Sequence, residues 1–256
     1  MRQCQLLGKK FIELGHEVKL IAPQYVKPFV KGNKNDYNDA EGIAEAAQRP
    51  NMRFVPLKSV EQQDVQNFHR QRERIKKERK ALASQIRGLL GEYGIIINKG
   101  IAAIHNDMPD ILEDASNELT TLSRELFNEL WLDFQAKEEK FKACEVRLQA
   151  MNRDNELCVR LDEILGIGAI TASATYAAAG DGKDFVNGRH FSAWLGLVPG
   201  QHSTGGKATL LGISKRGNAY LRTLYIHGAR AVLRCTENKD DSFSKWAQAL
   251  KARRGH

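Results

Sequence analysis

The chain of 256 residues lacks any apolar run near the ~18 residues that a membrane-spanning helix needs. That excludes a helical membrane protein. The opening MRQCQLLGKKF has no apolar signal core and no cleavage site, so the sequence predicts a protein that is not secreted. Cysteine is scarce and scattered. Cys4, Cys144, Cys158 and Cys235 form no CxxC pair. This spacing argues against a disulfide framework and a structural zinc site, and it suits a reducing cytoplasm. No internal repeat or low-complexity stretch is present. Acidic residues are outnumbered, 31 against 39 Lys plus Arg, leaving a net charge of +8. An excess of that sign favours a polyanionic partner.

The excess is concentrated. Residues 70–80, RQRERIKKERK, hold seven basic side chains against two acidic ones. Residues 207–256 hold eleven against three. The stretch from Asp107 to Glu139 between them is acidic. Two basic segments flanking an acidic one point to nucleic acid, with a solvated charged face as the competing reading.

Hydrophobic spacing predicts a mainly α chain with an α/β piece at its N-terminus, in three parts. Residues 1–58 read as α/β. Leu6, Phe11 and Leu14 mark a short helix ended by Gly15, and Val18 to Ala22 reads as a buried strand. Asp36 is the expected cap of a helix over 37–47, and 52–57 is a short closing strand. Two strands are too few for a stable sheet. Residues 59–157 read as a coiled-coil hairpin. Its first helix, 59–93, carries Phe68, Ile75, Leu82, Ile86, Leu89 and Tyr93, with Arg72 and Arg79 in two seam positions. Residues 94–109 read as a loop. The second helix, 110–157, carries Leu112, Ala115, Leu119, Leu122, Leu126, Leu130, Phe134, Phe141, Cys144, Leu148 and Met151, with a stutter at Leu126–Leu130–Phe134. Such a pair folds back on itself or joins a second copy. Residues 158–256 read as a helical region rich in small residues. A glycine-rich basic loop is expected over 200–218. A helix follows over 219–235, with Leu221, Leu224, Gly228 and Ala231 inward.

Three constellations carry candidate chemistry. Gly166 and Gly168, in LGIG between two helices, allow a tight turn and close approach to a phosphate at the next helix start. This pattern resembles the helix-hairpin-helix of DNA-binding proteins, and a plain turn between packed helices is the alternative. Asp36 and Asp39 stand one helical turn apart and could share Mg²⁺, against the plainer reading of a cap and a solvated acid. In HSTGGK, residues 202–207, a hydroxyl sits in a basic glycine-rich segment. Lys207, Lys215 and Arg216 could neutralise a phosphodiester during displacement, and an ordinary Ser/Thr/Gly loop is the competing reading.

Taken in order, KNDYNDA, the long helical hairpin, LGIG, WLGLVP, HSTGGK, GISKRGN and YLRTL resemble the DEDD insertion-sequence transposases. The likeness is to the IS one-ten family and its eleven-eleven branch, and it covers nearly the whole chain. It implies a RuvC-like, RNase H-type domain with four Mg²⁺-binding acids, of which Asp36 and Asp39 match the last two. It implies a C-terminal domain with a serine nucleophile matched by Ser203, or by Thr204 under a shifted alignment. It also implies oligomers through the coiled coil, DNA and a structured guide RNA as partners, and a cytoplasmic, nucleoid-associated location. Gly166, Gly168, Lys207, Lys215, Arg216 and Arg222 are the nucleic-acid-binding candidates.

The family's first two acids precede the segment matched by GKKFIELGH, yet only seven residues come before Gly8 and none is acidic. The family's chain also extends past the segment matched by LKARRG. The expectation is therefore a transposase truncated at both ends and catalytically incomplete. Its rivals are a non-catalytic helix-hairpin-helix DNA-binding dimer and a Mg²⁺-dependent junction nuclease using the acids alone.

Overall fold

The computed structural model describes residues 4–33 and 35–254. The chain divides into two compact units, residues 1–63 and 64–256. It is mostly helical with two small antiparallel sheets. Among the described residues no helix is long and apolar enough to cross a membrane.

In the first unit, helix α1 (Cys4–Glu13) precedes strand β1 (Leu20–Ile21), a short helix α2 (Pro23–Val26), helix α3 (Asp36–Ala47) and strand β2 (Phe54–Val55). The two strands pair antiparallel, Leu20 with Val55 and Ile21 with Phe54. Both are shorter than the hydrophobic runs that announced them. The cap of α3 is Asn35 rather than Asp36: the Asn35 side chain accepts the Asn38 amide at 2.7 Å. Asp36 thereby falls inside the first turn, where a carboxylate complements the helix dipole.

The second unit is built on two long helices, α4 (Val60–Gly91) and α6 (Thr121–Arg153). They run antiparallel, since Arg72 meets Glu145 and Arg79 meets Glu138. Residues 101–113, expected partly as loop, form helix α5 (Ile101–Glu113). Pro109 stands inside this helix, and Ile104 and Met108 lie one turn apart and are fully buried. Burying two large side chains, ~1.5–3 kcal/mol each, offsets the ~3 kcal/mol cost of an internal proline. The apolar stripe of α6 also differs from expectation in its first half. Phe127 and Trp131 are buried, whereas Leu122 and Leu126 are exposed. Burial favours the larger aromatic surfaces, and the stripe shifts by one residue.

The chain continues through α7 (Glu156–Asp162), α8 (Ala169–Ala179), α9 (Gly188–Leu195), strands β3 (Pro199–Thr204) and β4 (Lys207–Ile213), α10 (Ala219–Cys235) and α11 (Ser242–Arg254). Helix α8 is made of small residues and is buried on most sides, resting on α6, α7 and α10. Its hydroxyls bond back within the helix, Ser173 Oγ to the Ala169 carbonyl and Thr175 Oγ1 to the Thr171 carbonyl, both at 2.7 Å. On α10, Leu221 is buried as expected, but Ala231 is exposed and Val232 takes its place toward the turn before α8.

The segment expected as a basic loop is a β-hairpin. Gly205 and Gly206 both have positive φ, +57° and +79°, between Thr204 and its partner Lys207. A two-residue loop with both central φ positive is the turn whose twist matches paired strands. The glycines that suggested flexibility therefore fix the hairpin register.

Candidate nucleic-acid interface

Side chains alternate across a strand, and pairing fixes which ones share a face. Ser203 pairs with Ala208, His202 with Thr209 and Gln201 with Leu210. One face of the hairpin therefore carries Gln201, Ser203, Ala208 and Leu210. The other carries His202, Thr204, Lys207 and Thr209. All eight are exposed. Gln201 Nε2 donates to Ser203 Oγ at 2.7 Å. His202 and Lys207 stand close to Ser203 in sequence but lie across the pleat from it.

The hairpin is held at its base. The Ser214 amide donates to the Val198 carbonyl at 2.8 Å, and the Lys215 amide donates to the Gly196 carbonyl at 3.1 Å. Lys215 has φ +54°, the left-handed region that a side chain disfavours, and its ammonium is exposed. Lys207, Lys215 and Arg216 are exposed and have no ion-pair partner among the described residues. Arg222 differs: it is half-buried, and its Nη1 donates to the Leu195 carbonyl at 3.1 Å, closing the end of α9.

The turn between α7 and α8 is fixed by contact. Gly166 has φ +87°, and a Cβ on Gly228 of α10 would overlap the Gly166 carbonyl oxygen. Gly166 therefore lies against protein. Gly168 lies on an open side, where a Cβ would meet nothing within 4 Å, and it caps α8. The amides of Thr171 and Ala172 donate to the Gly168 carbonyl, at 2.8 and 2.9 Å, and those of Ala169 and Ile170 precede the first such bond, as at any helix start.

The basic run 70–80 separates into two sets. Arg72 and Arg79 point into the α4–α6 seam. Arg72 donates to Glu145 at 2.5 Å, Arg79 donates to Glu138 at 2.7 Å, and both guanidinium groups lie over the Phe141 ring. Lys76 is paired with Glu73, and Arg74 with Glu78. Arg70, Lys77 and Lys80 have no ion pair among the described residues. Only part of the sequence cluster is therefore available to a polyanion.

A buried network escaped the sequence reading. His69 of α4 is 3 % exposed. Its Nε2 lies 3.1 Å from Ser173 Oγ on α8, and its Nδ1 lies 3.0 Å from the Tyr220 hydroxyl on α10. Ser173 already donates to the Ala169 carbonyl, so it accepts from Nε2–H, and Nδ1 accepts from Tyr220. Burial first, and the Arg72 charge second, push the imidazole down to about 4. Burial pushes the Tyr220 phenol up to about 12. The legible signal is the 3/4 spacing Val65, His69, Arg72, Ile75, Arg79, in which a polar seam residue demands a polar partner.

In the first unit, Asp36 is exposed and Asp39 half-buried, one helical turn apart on α3. Neither carboxylate is engaged by another side chain among the described residues. Nor does any group of three His, Cys, Asp or Glu there gather as metal ligands.

A family model described as Transposase IS116/IS110/IS902 family matches residues 158–245. A second, described as Transposase and named for the DEDD type of IS110, matches residues 3–95. Over 248 residues the chain is 52 % identical to a probable family 20 transposase of Pseudomonas aeruginosa, spanning 96 % of this chain and 73 % of that one. It is 48 % identical over 247 residues to the transposase for insertion sequence element IS1111A of Coxiella burnetii, spanning 96 % and 68 %. It is 40 % identical over 249 residues to the transposase for insertion sequence element IS1328 of Yersinia enterocolitica, spanning 96 % and 74 %.

Proposed function

Because the chain belongs to the IS116/IS110/IS902 family of insertion-sequence transposases, we propose that it cuts and rejoins DNA with Ser203 as nucleophile. The observation that carries this reading is the hairpin. Its base is bonded to the end of α9, its tip projects Ser203 into solvent, and Lys207, Lys215 and Arg216 stand unpaired along it.

In the reaction, Ser203 Oγ attacks a backbone phosphorus. A phosphoserine ester forms, the bond to one deoxyribose oxygen breaks, and that oxygen takes a proton from solvent and leaves as a free hydroxyl. The serine proton passes to solvent, because no titratable side chain of the hairpin shares the Ser203 face. One phosphoester replaces another, so the reverse attack reseals DNA without an energy source. Lys215 and Arg216, at the hairpin base, offer phosphate contacts further along the bound strand. Gln201 holds the Oγ by donating to it, which leaves the serine proton free.

Asp36 and Asp39 are hard oxygen donors and fit a share of a Mg²⁺ site, since Mg²⁺ keeps several waters and takes one or two carboxylates with substrate phosphates. When bound, that ion supplies Lewis-acid polarisation of a phosphoryl oxygen. These two acids stand for half of the four-acid set that the RuvC-like resemblance implies. Gly168 and the start of α8 grip a phosphate in helix-hairpin-helix fashion. The α4–α6 hairpin joins a second copy through a face that includes Leu122 and Leu126, and the basic surfaces accept DNA and a structured guide RNA.

A denaturing gel with end-labelled DNA and the full chain tests the nucleophile. The expected result is a covalent adduct that Ser203→Ala abolishes and Thr204→Ala leaves in place. An adduct lost only in Thr204→Ala moves the role to the neighbouring hydroxyl. The open side of Gly168 at the start of α8, beside basic side chains without ion pairs, also suits a second reading, a DNA-binding dimer without catalysis. That reading predicts salt-sensitive DNA binding and no adduct.

A further inference from the structure

Helix α11 carries a feature that the transposition chemistry above does not use. Ser244 and Ala247 are buried against the end of α10, and Gln248 Nε2 donates to the Thr236 carbonyl at 2.5 Å and the Lys239 carbonyl at 3.2 Å. Lys251 pairs with Glu237. These contacts hold one side of α11 and set its opposite side outward. On that side, Phe243 is 45 % exposed and Trp246 is 59 % exposed, one turn apart, with ring centroids 5.7 Å from each other. Arg253 extends the same line two turns further, and Lys245 flanks it. Both are exposed and have no ion-pair partner among the described residues.

Solvent contact is unfavourable for aromatic rings, and two adjacent exposed rings rimmed by cations make a contiguous apolar patch of the kind that marks an interaction site. Charge selects the partner. Helix α11 contains Lys245, Lys251, Arg253 and Arg254 and no acidic residue. The acids with assigned contacts to α11 are both engaged, Glu237 with Lys251 and Asp241 with Ser244 at the N-terminal end. A partner that is apolar on its flat faces and anionic along its backbone matches this surface. Unpaired nucleobases have that chemistry: every base has a π-face, and each linkage carries a negative charge. Duplex DNA hides those faces inside its stack.

We infer that Phe243 and Trp246 form a stacking platform for unpaired bases of a DNA strand, with Lys245 and Arg253 holding its phosphates. The choice of DNA rests on the transposase reading, because strand cutting and rejoining expose single-stranded segments. The platform itself rests on the geometry of α11. Base stacking takes place on the outer face of the Trp246 ring, and the Phe243 ring supports that ring from beside it.

The test uses the full chain and a 16-nucleotide oligothymidylate, with a blunt duplex and an oligouridylate of equal length as further arms. Binding is followed by anisotropy of the labelled strand and by quenching of tryptophan fluorescence. The expected result is quenching by the DNA single strand. Trp246→Leu should abolish that quenching and weaken single-strand binding about tenfold, with duplex affinity unchanged. Trp246→Phe, which keeps a ring, should recover most of the affinity. Phe243→Leu should give a smaller loss. Equal single-strand affinity in Trp246→Leu and the parent overturns the platform. So does an equal loss for duplex, which marks a general fault, or tighter binding of the RNA strand. Sedimentation showing a dimer that Trp246→Leu dissolves assigns the face to a second copy and also overturns it. Failure of the parent to bind any DNA overturns the transposase reading with it. Loss of the Ser203 adduct alone leaves the platform standing.

Discussion

Acidifying the protein to pH 5 should cost the second unit about 2 kcal/mol of stability through one side chain. His69 is neutral in the folded state because burial disfavours the charged imidazolium, and the nearby Arg72 guanidinium adds to that. Its folded value is about 4, against 6.5 for a free imidazole. Between those values the unfolded chain binds the proton and the folded chain does not, so stability is full above the unfolded value and falls as pH falls through the window. At ~1.4 kcal/mol per pH unit, the loss is about 2 kcal/mol at pH 5 and about 3 kcal/mol below pH 4. The groups facing the ring act in the same direction. Arg72 adds positive charge, and Tyr220, itself pushed up by burial, supplies no anion. Urea unfolding followed by tryptophan fluorescence isolates the effect, since Trp131, Trp194 and Trp246 all lie in the second unit. His69→Gln keeps an acceptor and a donor but cannot titrate. It should be less stable at pH 7 by about 1–3 kcal/mol and should lose about 2 kcal/mol less than the parent on moving to pH 5. An equal loss in both proteins refutes the argument.

The α4–α6 seam makes an asymmetric prediction. Glu138→Gln leaves the Arg79 guanidinium, whose side chain is 12 % exposed, without its carboxylate and should cost about 3–5 kcal/mol in thermal or urea unfolding. Replacing both partners, as Arg79→Met with Glu138→Met, should restore most of that loss, and a double-mutant cycle measures it. At the base of the hairpin, Lys215→Gly relieves a left-handed φ of +54° and should stabilise the unit by about 1 kcal/mol in the same assay. The same change should weaken DNA binding and lower its salt slope by about one, because one phosphate contact is lost.

The sequence is most informative where periodicity and chemistry agree. The long seam of α4 is visible in the spacing of Ile75, Leu82 and Ile86, and all three are buried. The start of α10 is visible in Asn218, whose side chain accepts the amides of Tyr220 and Leu221. The departures share a cause. Glycine and proline carry an intrinsic meaning, and tertiary contact overrides it. Pro109 does not break α5, because Ile104 and Met108 are buried in the same core as Phe127 and Trp131 of α6. Gly205 and Gly206 do not loosen the serine segment, because two positive φ values in succession close a hairpin. On α6, leucine spacing alone does not distinguish Leu126 from Phe127, and burial goes to the ring. Of the candidate site, the residue types are legible but the faces they take are not. Arg222 has the composition of a phosphate contact and the position of a brace. Within RQRERIKKERK, only helical phase separates Arg72 and Arg79 from Arg70 and Lys77.

The pleat of β3 also governs which changes near Ser203 count as conservative. Ser203 and Thr204 both carry a hydroxyl and are neighbours in the chain, yet a substrate reaching one comes from the opposite side of the ribbon to a substrate reaching the other. Moving the hydroxyl by one residue therefore inverts the side of approach. It also exchanges the surroundings, from Gln201 and Leu210 to His202 and Lys207. An insertion of one residue in the two-glycine turn would likewise disturb the pairing that sets the face of Ser203. The same insertion in the loop between α10 and α11 leaves the ribbon untouched. The face that each hydroxyl presents is thus a property of strand register, and the turn of Gly205 and Gly206 sets it.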